Sequence, residues 1–258
     1  MRKTLRAFFL AALFTLFAVP SFAQSPAKGG RFDTQIQQDA EKLLQAKPKF
    51  QNIKAETDDA IVTLTGGPVK LYLDKLDAEK RIKRIAHVDG VRNHVEVEGN
   101  VPDAELTEKL SDKLRYDRVG YGIMFNNLTL AVKDGVATIG GQVRDYPDRD
   151  SALAIAETQS GVKDVIDNIE VLPTSNFDDD LRVKIARAIY GYASLQRYGT
   201  DPQKPIRSIV KNGHVILDGV VDSAMDRQLA GTRANGVSGV FSVDNRLMVP
   251  PSTPKKKK

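Results

Sequence analysis

Apolar positions along this chain fall into one pattern that is used three times. A helix-period stretch comes first, at residues 33–45, 103–116 and 178–190. In the third, Leu181, Ile185, Ala188 and Ile189 recur at helical spacing against polar neighbours. All three stretches open on acidic residues, favoured by the free amides and positive dipole end of a helix start, and Pro102 and Asn176 stand just ahead of two of them. Two alternating runs follow. Leu128, Leu130 and Val132 alternate with Thr129 and Ala131, and Lys133-Asp134-Gly135 turns the chain into residues 136–140. Residues 207–210, Lys211-Asn212-Gly213 and residues 214–217 repeat the arrangement. An Asp-Gly or Asn-Gly pair between alternating runs specifies a tight hairpin, whereas Asp58-Asp59-Ala60 in the first copy predicts a looser turn. A second helix is expected at about residues 73–86, 148–160 and 223–234, followed by a last strand. The alternate positions of that strand are Val91, Asn93, Val95 and Val97; Val165, Asp167, Ile169 and Val171; and Val243, Asn245, Leu247 and Val249. Three apolar residues in four on one side mark a strand with one buried face.

The closing phrase reads HVDGVRNHVEV at residues 87–97, GVKDVIDNIEV at 161–171 and GVFSVDNRLMV at 239–249. Each follows, at nearly constant distance, a strand-like run ending in Gly66, Gly141 or Gly219. So regular a register identifies a tandem array of one small module. The order α-β-β-α-β closes one way: an antiparallel hairpin, then a right-handed crossover to a parallel third strand. The predicted class is α+β, with two helices packed on one face of a three-stranded mixed sheet in each module. The modules fall at residues 32–100, 101–173 and 174–250, behind a linker at 24–31. At about 70 residues each lies near the lower limit for an independent core, so neighbours are expected to support one another.

A glycine after the second strand, an Ala-rich helix and then Gly-Val-x-x-Val-x-Asn-x-Leu-x-Val resemble the BON domain, the bacterial osmotic-stress and nodulation domain of exported proteins. Residues 239–249 fit the motif best; the second copy has Asp167 for the asparagine. The first has His87 for the glycine and one extra residue after Gly66. The resemblance spans about residues 33–249. It implies a non-enzymatic module that attaches to phospholipid surfaces or envelope components, with a role in envelope or osmotic stress. It implies no ligand or cofactor, and Gly66, Gly141, Gly219, Gly161, Gly239, Asn93, Asp167 and Asn245 are expected to be structural.

Arg2, Lys3 and Arg6 precede an apolar run at residues 7–19 that is too short to span a bilayer, and Ser21-Phe22-Ala23 follows. A signal peptide cleaved after Ala23 and a periplasmic location are therefore expected. The chain has no cysteine, which excludes disulfides and thiolate chemistry. Of its 38 Lys and Arg, three lie in the leader and four at Lys255–Lys258, so the body between carries 31 bases against 33 acids. That balance excludes a general nucleic-acid binder, which needs a basic face on the folded domain.

Reactive groups are sparse. His87, His94 and His214 lack the convergent spacing of a metal site. Asp178-Asp179-Asp180 reads as helix capping, and Gly66-Gly67 and Gly140-Gly141 as turns that end a hairpin. No nucleophile elbow is present. Tyr116, Tyr121 and Phe125 are expected to pack in a core. Two features suit an anionic surface. Lys75, Lys80, Arg81, Lys83 and Arg84 flank the apolar Leu71, Ala78, Ile82 and Ile85, although Asp74, Asp77 and Glu79 are also consistent with a plain solvated face. Lys255, Lys256, Lys257 and Lys258 form either an electrostatic tether or a solubilising end. The expected partner is anionic phospholipid or an envelope protein; the alternative is an adaptor that binds protein through open sheet faces.

Overall fold

The computed structural model describes residues 30–116, 124–201 and 205–251. The leader, Tyr121 and the four terminal lysines lie outside those residues. The first module runs α1 (Asp33–Gln45), β1 (Ile53–Asp58), β2 (Ile61–Gly66), α2 (Tyr72–Ile82) and β3 (Gly90–Asn93). The second has α3 (Asp103–Tyr116), β4 (Asn127–Lys133), β5 (Val136–Val143), α4 (Tyr146–Glu157) and β6 (Asp164–Val171). The third has α5 (Asn176–Tyr190), a short α6 (Arg197–Thr200), β7 (Arg207–Lys211), β8 (His214–Asp218), α7 (Ala224–Asn235) and β9 (Ser242–Asn245). In every sheet the first pair is antiparallel and the second parallel, with the second strand central. This is the mixed three-stranded α+β unit that the pattern predicts.

Each core forms where the two helices meet one face of the sheet. In the third module Leu181, Ile185 and Ile189 of α5 meet Val215 and Leu217 of β8. Ala78, Ala152 and Ala230 occupy the same place on the second helix of each module and are fully buried. A methyl side chain there lets the helix lie close on the strands.

The hairpin turns are alike in all three copies. Asp59 and Ala60 have φ of 48° and 60°, Asp134 and Gly135 54° and 80°, and Asn212 and Gly213 53° and 75°. Positive φ at both central residues is the two-residue turn whose twist matches a hairpin. The looser turn expected at Asp58-Asp59-Ala60 is therefore corrected: Asp58 pairs with Ile61 just as Lys133 pairs with Val136. Ala60 is held in a left-handed conformation where its sister copies carry glycine. Ala60→Gly should consequently raise the stability of the first module by about 0.5–1 kcal/mol, read as an upward shift of its urea midpoint.

Helix ends differ in detail from expectation. The chain tightens at Ile82, four residues early, where Arg84 and Ile85 donate to the carbonyls of Arg81 and Ile82. Strands β3 and β9 are short, yet His94 and Glu96 still donate to Leu64 and Gly66 at 2.8 Å, so backbone pairing continues past Asn93.

Neighbouring modules are in contact. Tyr72 of α2 packs against the core of the second module. Burial, and then its hydrogen bond to the Asp164 carboxylate, push its phenol well above the usual value. Between the second and third modules, Asn127 Nδ2 donates to Asp218 at 2.7 Å and Lys211 Nζ pairs with Glu170 at 2.7 Å. All four belong to the sheet faces turned away from the helices, because their register neighbours Leu128, Val210 and Leu217 point into the cores. The open faces of these two modules are thus tied to each other. The open face of the first module is polar, with Lys54, Glu56, Thr63, Thr65 and Arg92 aligned across it, so the three sheets do not merge into one apolar surface. Among the described residues, no helix is long and apolar enough to cross a membrane.

Candidate functional site

One aspartate per module does more than its place at a helix start suggests. Asp178 Oδ2 and Oδ1 accept from the amides of Asn212 and Gly213 at 2.8 and 2.9 Å. Asp103 does the same for Asp134 and Gly135 at 2.8 and 2.9 Å, and Asp33 for Asp59 and Ala60 at 3.0 and 2.9 Å. A carboxylate on the first helix therefore satisfies both amides of each hairpin turn. This shared lock is why the first copy keeps a tight turn without a glycine. The expectation that the acidic run at 178–180 simply caps its helix is corrected accordingly. The cap is Ser175, which accepts from the Asp178 amide at 3.2 Å. Asp179 pairs with Arg182, and Asp180 with Lys184.

The Ala60 amide, opposed by burial and helped by the amides of Gly30 and Asp59, holds the Asp33 carboxyl below the usual carboxylate range. A depressed folded-state value contributes stability above the unfolded value and loses it as pH falls through the folded one. The first hairpin should therefore loosen only below about pH 4, seen as faster exchange of the Ala60 amide. Asp33 also lies with Asp58 and Asp59 in an acidic group, but both its oxygens already accept amide protons.

The polar residue inside each last strand is a staple. Asn93 Nδ2 donates to the Lys75 carbonyl at 2.9 Å, and Asn245 Nδ2 to the Arg227 carbonyl at 2.7 Å, fixing strand to second helix. Asp167 has no such donor, and the side chain of Arg149, at the place of Lys75 and Arg227, reaches it at 2.8 Å instead. The same oxygen position accepts from the amide two residues on, at Val95, Ile169 and Leu247. The glycines are equally structural. A Cβ at Gly66, Gly141 or Gly219 would lie 2.4, 1.9 or 2.5 Å from the carbonyl oxygen of Asn52, Asn127 or Pro205. Gly161 and Gly239 have φ of 97° and 99°, and His87 keeps that left-handed backbone at 68°. Its ring stacks on Phe32 at 3.8 Å.

The histidines do not converge. His87 lies on Phe32, His214 Nδ1 contacts Ser242 at 2.8 Å, and His94 is an exposed edge residue. The basic helix α2 turns its stripe inward: Ala78 and Ile82 are fully buried, and Ile85 packs on the same core. Arg81 and Lys83 pair with Asp77 and Glu79, while Lys80 and Arg84 are exposed and Lys75 is partly buried beside Glu79. Phe125 is 2% exposed, inside the protein as expected for that aromatic cluster.

The exposed large apolar side chains concentrate in the third module. Phe177 and Phe241 stack with centroids 6.3 Å apart beside the hairpin turn. Met225 and Met248 are 71% and 61% exposed where β8 ends and α7 begins. Sequence reasoning passed over both pairs. Aligning the copies would have exposed them, because Phe241 stands where its sisters have Asp89 and Lys163, and Met248 where they have Glu96 and Glu170.

The family profile described as BON domain matches residues 32–99, 102–173 and 178–251. Comparison with curated proteins finds no match. Two solved structures of CdsD, a structural protein of the type III secretion system of Chlamydia trachomatis, are similar over 83% and 84% of this chain and 96% and 93% of theirs. Identity is 12% and 14%, with a TM-score of 0.23 for each, too low to relate the module arrangements.

Proposed function

The chain belongs to the BON domain family, three copies in tandem, and from that premise we propose that it is an exported envelope protein that attaches non-covalently to anionic phospholipid surfaces. The triple family match carries this function, since BON domains are non-catalytic binding modules often found on phospholipid. Supporting it, the motif aspartates, asparagines and glycines are consumed by internal bonds and close packing, which leaves attachment to surface residues. Exposed Lys80 on α2 and Arg84 just past its end, with the partly buried Lys75 and with Lys255–Lys258, supply positive charge for headgroups. Cleavage after Ala23 would release the modules into the periplasm, where such attachment serves envelope or osmotic stress protection. An adaptor acting through sheet faces is less well supported, because the second and third modules turn theirs toward each other.

Sedimentation with vesicles tests the function. The protein without its leader should pellet with vesicles containing phosphatidylglycerol at low salt, stay in the supernatant with phosphatidylcholine alone, and be released as salt rises. Equal supernatant fractions with both lipids would discard it.

A further inference from the structure

Strand β1 is an edge of the first sheet, whose order is β1-β2-β3. Gly67 donates to the Asn52 carbonyl at 3.0 Å, so the alternation of an antiparallel ladder has Lys54, Glu56 and Asp58 bonded to β2. Ile53, Ala55 and Thr57 therefore turn their amides and carbonyls outward. Among the described residues only one of these backbone groups has a partner, the Ala55 carbonyl, which accepts from Gln37 Nε2 at 2.7 Å. An open groove of about 430 Å³ runs between this edge and α1, bordered by Glu41 and Gln45 on one side and Lys54 and Glu56 on the other.

A free edge is a template for another strand, and natural sheets blunt such edges with charge. The charges on β1 have a different pattern. Lys54 and Glu56 are exposed, lie on the same face of the strand, and make no ion pair among the described residues. The same register positions hold Thr129 and Ala131 in β4, and Arg207 and Ile209 in β7. Opposite signs two residues apart are thus peculiar to the first module.

Reversed, this strand complements itself. Laid antiparallel to a second copy about a twofold axis at Ala55, it sets Lys54 against Glu56 and Glu56 against Lys54. Ala55 then faces Ala55 and Ile53 faces Thr57, so the residues with outward backbone groups meet in that same register. The Ala55 oxygen offers a second lone pair to an incoming amide beside Gln37. Moving the axis to Lys54 or Glu56 would put like charges face to face, which is destabilising. We propose that two copies of this chain pair along β1, antiparallel about Ala55, to form one sheet continuous across both first modules. The partner is a second copy because the match needs the same two charges in reversed order.

Sedimentation equilibrium in the absence of lipid tests this pairing. The wild-type chain should form a dimer that dissociates on dilution. Lys54→Glu or Glu56→Lys alone makes both cross-strand pairs repulsive and should weaken dimerisation by at least about tenfold. Both positions are exposed, so the module keeps its fold. Mixing the two variants restores both pairs, and the mixture should dimerise like the wild type. The double variant carrying Lys54→Glu and Glu56→Lys should do so on its own. A wild-type chain that stays single at about 1 mM overturns the inference. So does a dimer that the single variants leave unchanged, or one that they weaken without recovery in the mixture and the double variant.

Discussion

Gly141→Ala is expected to unfold most of the second module's sheet stability, at a cost of at least about 4 kcal/mol. The added Cβ would stand 1.9 Å from the Asn127 carbonyl oxygen, and 3.0 and 3.1 Å from further backbone atoms of β4. Neither partner is a side chain that can swing away, so relief requires breaking the β4–β5 pairing. The backbone φ of 97° adds strain of its own for any L side chain. Gly66→Ala and Gly219→Ala should cost less, because their added Cβ would stand 2.4 and 2.5 Å from the facing carbonyl oxygen. A three-module chain need not unfold as one two-state unit, so a single global transition is a poor measure. Urea titration followed by amide exchange resolved to each module gives the order, and equal effects at all three glycines would contradict it.

Asp178→Ala should cost about 3 kcal/mol in the third module. Its carboxylate is 2% exposed and binds two amides, one of them on the buried Gly213. Bonds to a charged acceptor are worth more than neutral ones, and their loss leaves the buried Gly213 amide without a partner. Asp178→Asn keeps one acceptor oxygen and should cost about 2 kcal/mol. Asp103→Ala should cost less than Asp178→Ala, because Asp103 is only half-buried. Faster exchange confined to the Asn212–Gly213 hairpin is the signature, whereas a change spread over all modules would point to a different cause.

Much of the architecture is legible in the sequence because it rests on local periodicity. Helices α1 and α3 lie within the expected limits, since 3.6-residue spacing and acidic starts are properties of a continuous segment. The role of the aspartates was hidden for the opposite reason. The partner amides of Asp178 lie 34 and 35 residues away, so a helix-dipole argument accounts for the acid at that position without finding its purpose. The tight turn at Asp59-Ala60 is hidden for the same reason, because Asp33 holds it from a distant helix where glycine is missing. On α2, an apolar stripe beside positive charge describes a membrane helix and a core helix equally well. Only packing shows that Ala78 and Ile82 face the sheet. The tie between Glu170 and Lys211 joins residues 41 apart across two modules, beyond any motif.

Under the proposed function the repeated residues build the modules and surface residues attach them, and one variant separates the two. Asp178→Asn should be assayed for both urea midpoint and sedimentation with phosphatidylglycerol vesicles, at a temperature where it remains folded. The account predicts a lowered midpoint with an unchanged bound fraction. A bound fraction that collapses while the midpoint holds would make the aspartate part of the binding site and contradict it.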